Sequence, residues 1–263
     1  MGKILFFDID GVLTYDYLRI SPNAVEALEG LRAKGHHPIL CTGRGTVSVP
    51  QVFLDHSDGW ITLAGCACQY EGETLFSHAM DRDKVVSILR EAQQTGVSIY
   101  PESDDCVYAF NFKENETNDL EQLMGEISDT FVRNTDEWIE KHYDAEICKF
   151  SFTAFWLDKV RQFSCLNDDC ILVDTADGYY EINQKAISKG TGIKEFLSII
   201  GSDPKDAYCF GDSDNDLEMF EVCGYPIATG NALDSIKAKA RMVTEPASKG
   251  GVYKFLKEQK LID

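Results

Sequence analysis

The sequence predicts an α/β protein, a doubly wound parallel sheet interrupted by an inserted second α/β domain. Three observations point there. Short unbroken apolar runs such as Ile4–Phe7 read as strands buried on both faces. Near both ends of the chain these runs alternate with stretches of helical period. Between residues 82 and 183 that alternation gives way to a mixed order of helical and strand-like segments. A length of 263 residues suits one large or two modest domains, and 44% hydrophobic with 26% charged residues is the make-up of an ordinary globular protein.

Taken in order, the chain opens as strand, helix, strand. Residues 3–7 form the first strand. Ser21-Pro22 offers an N-cap with proline at the first helical position, Val25, Leu28 and Leu31 recur at helical spacing, and Gly35 ends the helix. Residues 38–40 make a second strand that runs into Cys41-Thr42-Gly43-Arg44, with another helix expected after it. A third strand at 60–63 is followed by a hairpin turning at Glu71-Gly72. In the inserted region, helices are predicted over 84–94, 118–130 and 155–163, and strands over 97–100, 107–112, 147–152, 171–173 and 179–182. Beyond Ser188 the alternation resumes, with helices over 191–200, 215–222, 232–240 and 251–259 and strands over 207–210, 227–228 and 242–243. The expected domains are therefore a core made of 1–81 and 184–263 and an insertion of 82–183.

Charge narrows the partners. Lys and Arg number 25 against 44 Asp and Glu, a net −19, and the inserted region holds 9 basic and 22 acidic residues, −13 of that total. Such a surface repels polyanions, so neither nucleic acid nor an anionic membrane is expected as a partner. No apolar run approaches the ~20 residues that span a bilayer, and Asp8 cuts the first one short, so no signal peptide is expected and the chain reads as soluble and cytoplasmic. Nine cysteines without a Cys-x-x-Cys pair read as reduced, mostly buried thiols.

Four segments carry chemistry. Asp8-Ile9-Asp10-Gly11 lies just past the first strand, where open parallel sheets bind ligands. Two carboxylates at i and i+2 suit either a shared cation or a nucleophile paired with a general acid, although a solvated acidic turn would look the same in isolation. Thr42-Gly43 also follows a strand, and a hydroxyl with free amides there can hold a phosphate oxygen. Lys189 opens a helix, the unfavourable end of the dipole for a cation, which suggests that it answers to a carboxylate plus a phosphate. Gly211-Asp212-Ser213-Asp214-Asn215-Asp216 crowds three carboxylates and an amide onto one loop after a strand. That density calls for a cation, and all-oxygen ligation suits Mg²⁺. A calcium loop of the EF-hand type is excluded, since the twelfth position from Asp212 is Cys223.

In this order, Asp-x-Asp, Thr, Lys and Gly-Asp-x-x-Asn-Asp, the chain resembles the haloacid dehalogenase superfamily, and within it the Cof-like phosphatases with a large α/β (type IIB) cap. The resemblance spans the whole chain, including the tail Gly230-Asn231-Ala232 and Lys249-Gly250-Gly251-Val252. It implies a Rossmann-like core with residues 82–183 as the cap. It also implies a phosphatase of small phosphorylated metabolites, such as sugar phosphates or phosphorylated cofactors. In that reading Asp8 is the nucleophile that becomes an aspartyl-phosphate, and Asp10 is the acid and base. Thr42 and the Gly43 amide hold phosphate oxygens, and Lys189 bridges Asp8 and phosphate. Mg²⁺ is bound by Asp8, Asp212 and the Asp10 carbonyl. Asn215 reaches the phosphate and Asp216 orients Lys189. Three positions depart from the family pattern: Val12 for Thr, Ala64-Gly65-Cys66 for Asn-Gly-Ala, and Thr229 for Met.

Two other functions fit parts of the pattern. A sugar phosphomutase of the same superfamily would share the motifs but need extra cationic groups in the cap, where only 9 basic residues occur. A non-catalytic phosphate-binding module would have no reason to keep Asp8, Asp10, Lys189 and Asp212 together. The aromatics Phe150, Phe152, Phe155 and Trp156 read as cap core rather than pocket lining. Cys41 and Cys209 read as small buried hydrophobes.

Overall fold

The computed structural model describes residues 2–16, 19–112, 127–132, 134–142, 144–175 and 178–263. The chain divides into two compact units. The first comprises Met1–Gly43, Val49–Ser77 and Ile187–Asp263, and the second Arg44–Ser48 and His78–Ala186.

The first unit is built on an eight-stranded sheet, in the order Met242–Val243, Tyr225–Ala228, Tyr208–Gly211, Ile4–Phe7, His37–Cys41, Gly59–Thr62, Ala67–Tyr70, Glu73–Ser77. The first six strands are parallel and the last two form an antiparallel hairpin. Glu71 and Gly72 make its turn with φ of 50° and 84°, as a tight hairpin requires. Strand side chains alternate between two cores. Leu5, Phe7, Leu40 and Phe210 pack under the helices Ala24–Ala33 and Gly251–Glu258. Ile4, Phe6, Ile39 and Cys209 pack under Lys189–Ile199 and Leu217–Val222. This is the doubly wound arrangement expected, and its physical basis is the apolar run buried on both faces.

The second unit is a six-stranded sheet in the order Ile127–Val132, Val107–Phe110, Tyr100–Glu102, Lys149–Thr153, Tyr179–Gln184, Cys170–Asp174. Its core gathers Val85, Ile88, Leu89 and Ala92 from the helix Arg82–Thr95 against Phe110, Phe150, Phe152 and Ile182. That helix is capped by Asp81, which accepts from the amides of Asp83 (2.9 Å) and Lys84 (3.4 Å), and it ends at Gly96 with φ 69°.

Several expectations need correction. The first helix starts at Ala24, not at Pro22: the Ser21 hydroxyl is spent on the Val12 carbonyl (3.2 Å), and Asn23 takes a left-handed conformation. Of the helix expected over 118–130, residues 118–126 lie outside the described residues, and 127–130 belong to the strand Ile127–Val132, whose Ile, Thr, Phe and Val favour extended backbone. The helix expected over 155–163 is a 3₁₀ turn, Ala154–Trp156, with a single α-turn, Leu157–Val160. Phe155 is 81% exposed, so it is not core, whereas Phe150 and Phe152 are fully buried. The helix expected over 232–240 is short, Asp234–Lys237. The helix Thr135–Lys141 was not anticipated. Its signal is Asn134, which accepts from the Asp136 and Glu137 amides at 2.9 and 3.2 Å. Among the described residues no helix is long and apolar enough to cross a membrane.

Candidate active site

Strand register brings the motif residues to one edge of the first unit's sheet. Phe7 pairs with Leu40 on one side and Phe210 on the other, and Gly211 pairs with Ala228. The residues that follow these strands, Asp8, Thr42, Asp212 and Thr229, therefore emerge side by side at the carboxyl ends. The Asp8 amide still donates to the Phe210 carbonyl (3.0 Å), and Thr229 to Gly211 (3.1 Å).

After Asp8 the chain makes one wide turn, Ile9–Leu13, that needs Gly11 at φ 75°. A Cβ on Gly11 would sit 1.9 Å from Oδ2 of Asp212, so glycine is required by space as well as by backbone angle. The Gly11 carbonyl accepts from Thr229 Oγ1 (3.2 Å) and Asn231 Nδ2 (2.9 Å), and Asn231 also donates to Asp212 Oδ2 (3.3 Å). Asn231 Oδ1 takes the Ala247 amide (2.8 Å). Asn231 thus ties the first turn, the acidic loop and the tail together. Sequence reasoning assigned it no role; a Gly-Asn step directly after a strand end was the available signal. Thr229, one of the three departures from the family pattern, supplies a hydroxyl to the same carbonyl. Asp10 sits within the turn and accepts from Thr14 Oγ1 at 3.4 Å.

Lys189 resolves the conflict noted in the sequence. Its helix is capped by Ser188, whose hydroxyl accepts from the Thr191 amide (3.2 Å) while the Thr191 hydroxyl accepts from the Ser188 amide (2.8 Å). From that first turn the buried Lys189 Nζ lies 2.8 Å from Asp8 Oδ1 and 2.7 Å from Asp216 Oδ1, and donates to Asn215 Oδ1 at 3.3 Å. The helix start is seated against Gly65, at φ 109°, where a Cβ would lie 2.1 Å from the Ser188 carbonyl. Asp216 is fully buried and committed: Oδ1 meets Lys189, and Oδ2 accepts from the amides of Asp212 (2.8 Å) and Ser213 (3.2 Å).

Thr42 and Gly43 close the strand next to Asp8. Thr42 is buried, its carbonyl accepts from the Ala64 amide (2.9 Å), and the space where a Gly43 side chain would be is open to 4 Å. The structure thus gathers Asp8, Lys189, Asp212, Asn215 and Asp216 into one cluster and sets Asp10, Thr42 and Gly43 at the same sheet edge.

The electrostatics favour a cation. Carboxylate oxygens of Asp8, Asp212 and Asp216 lie within 4.8 Å of one another. Burial pushes Asp8 well above the usual carboxylate range, with Lys189 pulling against it and Asp216, Asp212 and Asp10 adding to it. Burial and Asp216 push Asp212 up to about 7. Lys189 is held charged, and its pKa raised against burial, by Asp216 and Asp8. One ammonium does not balance this much buried carboxylate. With Asp216 occupied by Lys189 and two amides, Asp8 and Asp212 are the oxygens suited to a divalent metal, a hard donor set that fits Mg²⁺. Cys41 is not a rival nucleophile, because burial drives its thiol far upward.

Against known proteins, the profile of haloacid dehalogenase-like hydrolases matches residues 5–256. The chain is 28% identical to 5-amino-6-(5-phospho-D-ribitylamino)uracil phosphatase YwtE of Bacillus subtilis, over 97% of this chain and 96% of that protein. It is 26% identical to phosphoglycolate phosphatase of Nitrosopumilus maritimus, over 95% and 92%. Among solved structures, the subclass IIB sugar phosphatase BT4131 superposes with a TM-score of 0.81 at 23% identity, covering 99% of this chain and all of that one, a likeness of fold.

Proposed function

The chain belongs to the haloacid dehalogenase-like hydrolases and is a phosphoric monoester hydrolase, and from that premise we propose that it is a Mg²⁺-dependent phosphatase of small phosphorylated metabolites working through an aspartyl-phosphate on Asp8. The observation that carries this reading is Lys189, buried at a helix start and held 2.8 Å from Asp8 and 2.7 Å from Asp216. A cation placed there serves the phosphoryl group that Asp8 attacks.

In the first half-reaction a carboxylate oxygen of Asp8 forms a bond to phosphorus as the phosphorus–oxygen bond to the leaving group breaks, and Asp10 gives its proton to the departing oxygen. In the second, Asp10 takes a proton from water, the water oxygen attacks phosphorus, and Asp8 leaves as a free carboxylate with inorganic phosphate. Lys189 offsets the negative charge, Thr42 and the Gly43 amide position phosphate oxygens, Asn215 reaches the same group, and Asp216 keeps Lys189 aimed. Mg²⁺ on Asp8, Asp212 and the Asp10 carbonyl would neutralise phosphoryl charge and orient the ester.

The first unit is read as the catalytic core and the second as the cap that judges the leaving group. The −13 charge of residues 82–183 disfavours polyanionic bodies, so sugar phosphates or phosphorylated cofactors are the proposed substrates. Phosphate release from an aryl phosphate with and without Mg²⁺ tests the class. Asp8→Asn keeps the shape but removes the nucleophile, and turnover is expected to fall on the order of a thousandfold or more. Hydrolysis near the wild-type rate in that variant would overturn the covalent route.

A further inference from the structure

Both chain neighbours of Lys189 meet one residue, Glu218. On one side the Ser188 hydroxyl donates to the Glu218 carboxylate. On the other, Gly190 lies against the Glu218 backbone, where a Cβ would come within 2.7 Å of its carbonyl oxygen and 2.8 Å of its carbonyl carbon. Glu218 closely follows Asn215 and Asp216, the side chains that accept from Lys189 Nζ at 3.3 and 2.7 Å. All of these residues belong to the first unit. The lysine and its acceptors are thus fastened together twice, at the ammonium and at the helix start. The Ser188 hydroxyl has two duties there. It accepts from the Thr191 amide at 3.2 Å, which caps the helix, and its one proton goes to Glu218.

Resting on the phosphatase reading, we infer that Glu218 is a positioning residue for Lys189: by holding Ser188, its carboxylate sets where the ammonium stands between Asp8 and Asp216. The reason lies in how a lysine is placed. Its charge rides on a flexible four-carbon stem, so the position of the ammonium follows that of the backbone beneath it. Lys189 is the first residue of the helix Lys189–Ile199, so no earlier helical turn steadies that backbone. The cap does so instead, and a fixed acceptor for the Ser188 proton locks the capping hydroxyl in one orientation. Glu218 is that acceptor. Its charge also lies beside the amide ends of two helices, its own, Leu217–Val222, and that of Lys189, where a carboxylate is favoured. Glu218 itself is exposed, so removing its side chain costs little stability. A displaced ammonium costs more, because charge that develops in the transition state is met only at the right distance.

The test uses the full chain with Glu218→Ala, Glu218→Gln, which keeps an acceptor oxygen, Ser188→Ala, and the double variant Ser188→Ala with Glu218→Ala. Three quantities are read: kcat and KM on an aryl phosphate, the thermal midpoint, and the carbon-13 signal of the Lys189 ε-carbon in lysine-labelled protein, identified by its absence in Lys189→Arg. Expected for Glu218→Ala is a fall in kcat of roughly tenfold with KM within about twofold, since the loss falls on the transition state. A displaced Lys189 signal and an unchanged midpoint should accompany it. Glu218→Gln should recover most of the rate and of the signal. The double variant should be no slower than Ser188→Ala, because Glu218 acts through that hydroxyl. A wild-type kcat and an unmoved Lys189 signal in Glu218→Ala would overturn the inference by reducing Glu218 to an outer clasp between two helices. So would losses that multiply in the double variant, or a loss matched by a fall in midpoint and not recovered by glutamine. If the wild-type protein releases no phosphate from any ester, the phosphatase reading falls, and the Lys189 signal in the alanine and glutamine variants still decides about Glu218.

Discussion

Asn231 shows how much a single polar side chain can organise without touching the reacting atoms. Its amide meets the Gly11 carbonyl, Asp212 and the Ala247 amide, three segments that are distant in sequence. Asn231→Ala should lower stability by about 1–2 kcal/mol, the usual cost of losing such a set. Because Asp212 loses a donor that orients it, the Mg²⁺ concentration for half-maximal activity should also rise several-fold. A metal requirement identical to wild type would show that Asn231 is only a structural clamp. The residues expected to carry the chemistry were legible because their types are unusual at strand ends: a buried carboxylate, a lysine at the wrong end of a helix, three acids on one loop. Asn231 and Thr229 were not, since their partners are supplied by strand order, which no local spacing encodes.

At the level of elements, the turn after Gly59–Thr62 holds three consecutive residues at positive φ: Leu63 (49°), Ala64 (55°) and Gly65 (109°). Gly65 needs this to admit Ser188, but alanine is ill suited to the left-handed region, and asparagine tolerates it better. Ala64→Asn should raise stability by about 0.5–1 kcal/mol, read as a higher denaturant midpoint at unchanged slope. The second unit's sheet presents the opposite case, a charge it cannot lose. Lys149 is buried between Glu181 (2.5 Å) and Glu102 (3.5 Å), carboxylates from two neighbouring strands, and the Ser151 hydroxyl donates to Glu102. Lys149→Met leaves buried carboxylate without its cation and should cost about 3–5 kcal/mol. Burial works against the ammonium and the two glutamates outweigh it, so its pKa lies above the ordinary lysine value. A raised lysine contributes stability that is whole below its unfolded value of about 10.4 and is lost as pH rises through the folded one. The wild-type thermal midpoint should therefore fall above about pH 10 more steeply than that of Lys149→Met; parallel curves would remove the ion pair from the stability account. None of this triad was foreseen. Strands were legible from alternation, but the pairing of 149 with 102 and 181 depends on which strands lie side by side.

At the scale of the whole molecule, the acidic surplus divides unevenly, and −13 of −19 falls in residues 82–183. Small esters should accordingly be hydrolysed faster than an oligonucleotide bearing a terminal phosphate, with the gap widest at low salt and narrowing as ions screen it. Substitutions on the second unit's sheet should change relative kcat/KM among small esters; a uniform decrease for every ester would deny it a role in selection. The doubly wound sheet was readable because buried parallel strands are short apolar runs between helices. The insertion was readable mainly as the place where that rhythm stops. Its two ends meet: Gln184 Nε2 donates to the His78 carbonyl at 2.7 Å. An insertion that departs and rejoins at one spot can be transplanted as a cassette, leaving the recipient's strand order undisturbed. The loop 44–48 sets the condition on such a swap: the Asp104 carboxylate accepts from the Thr46 amide (3.0 Å) and hydroxyl (2.9 Å), and a donor without an equivalent of Asp104 would arrive with no grip on Thr46. Lineages that exchange this cassette should therefore change residues 44–48 in the same step.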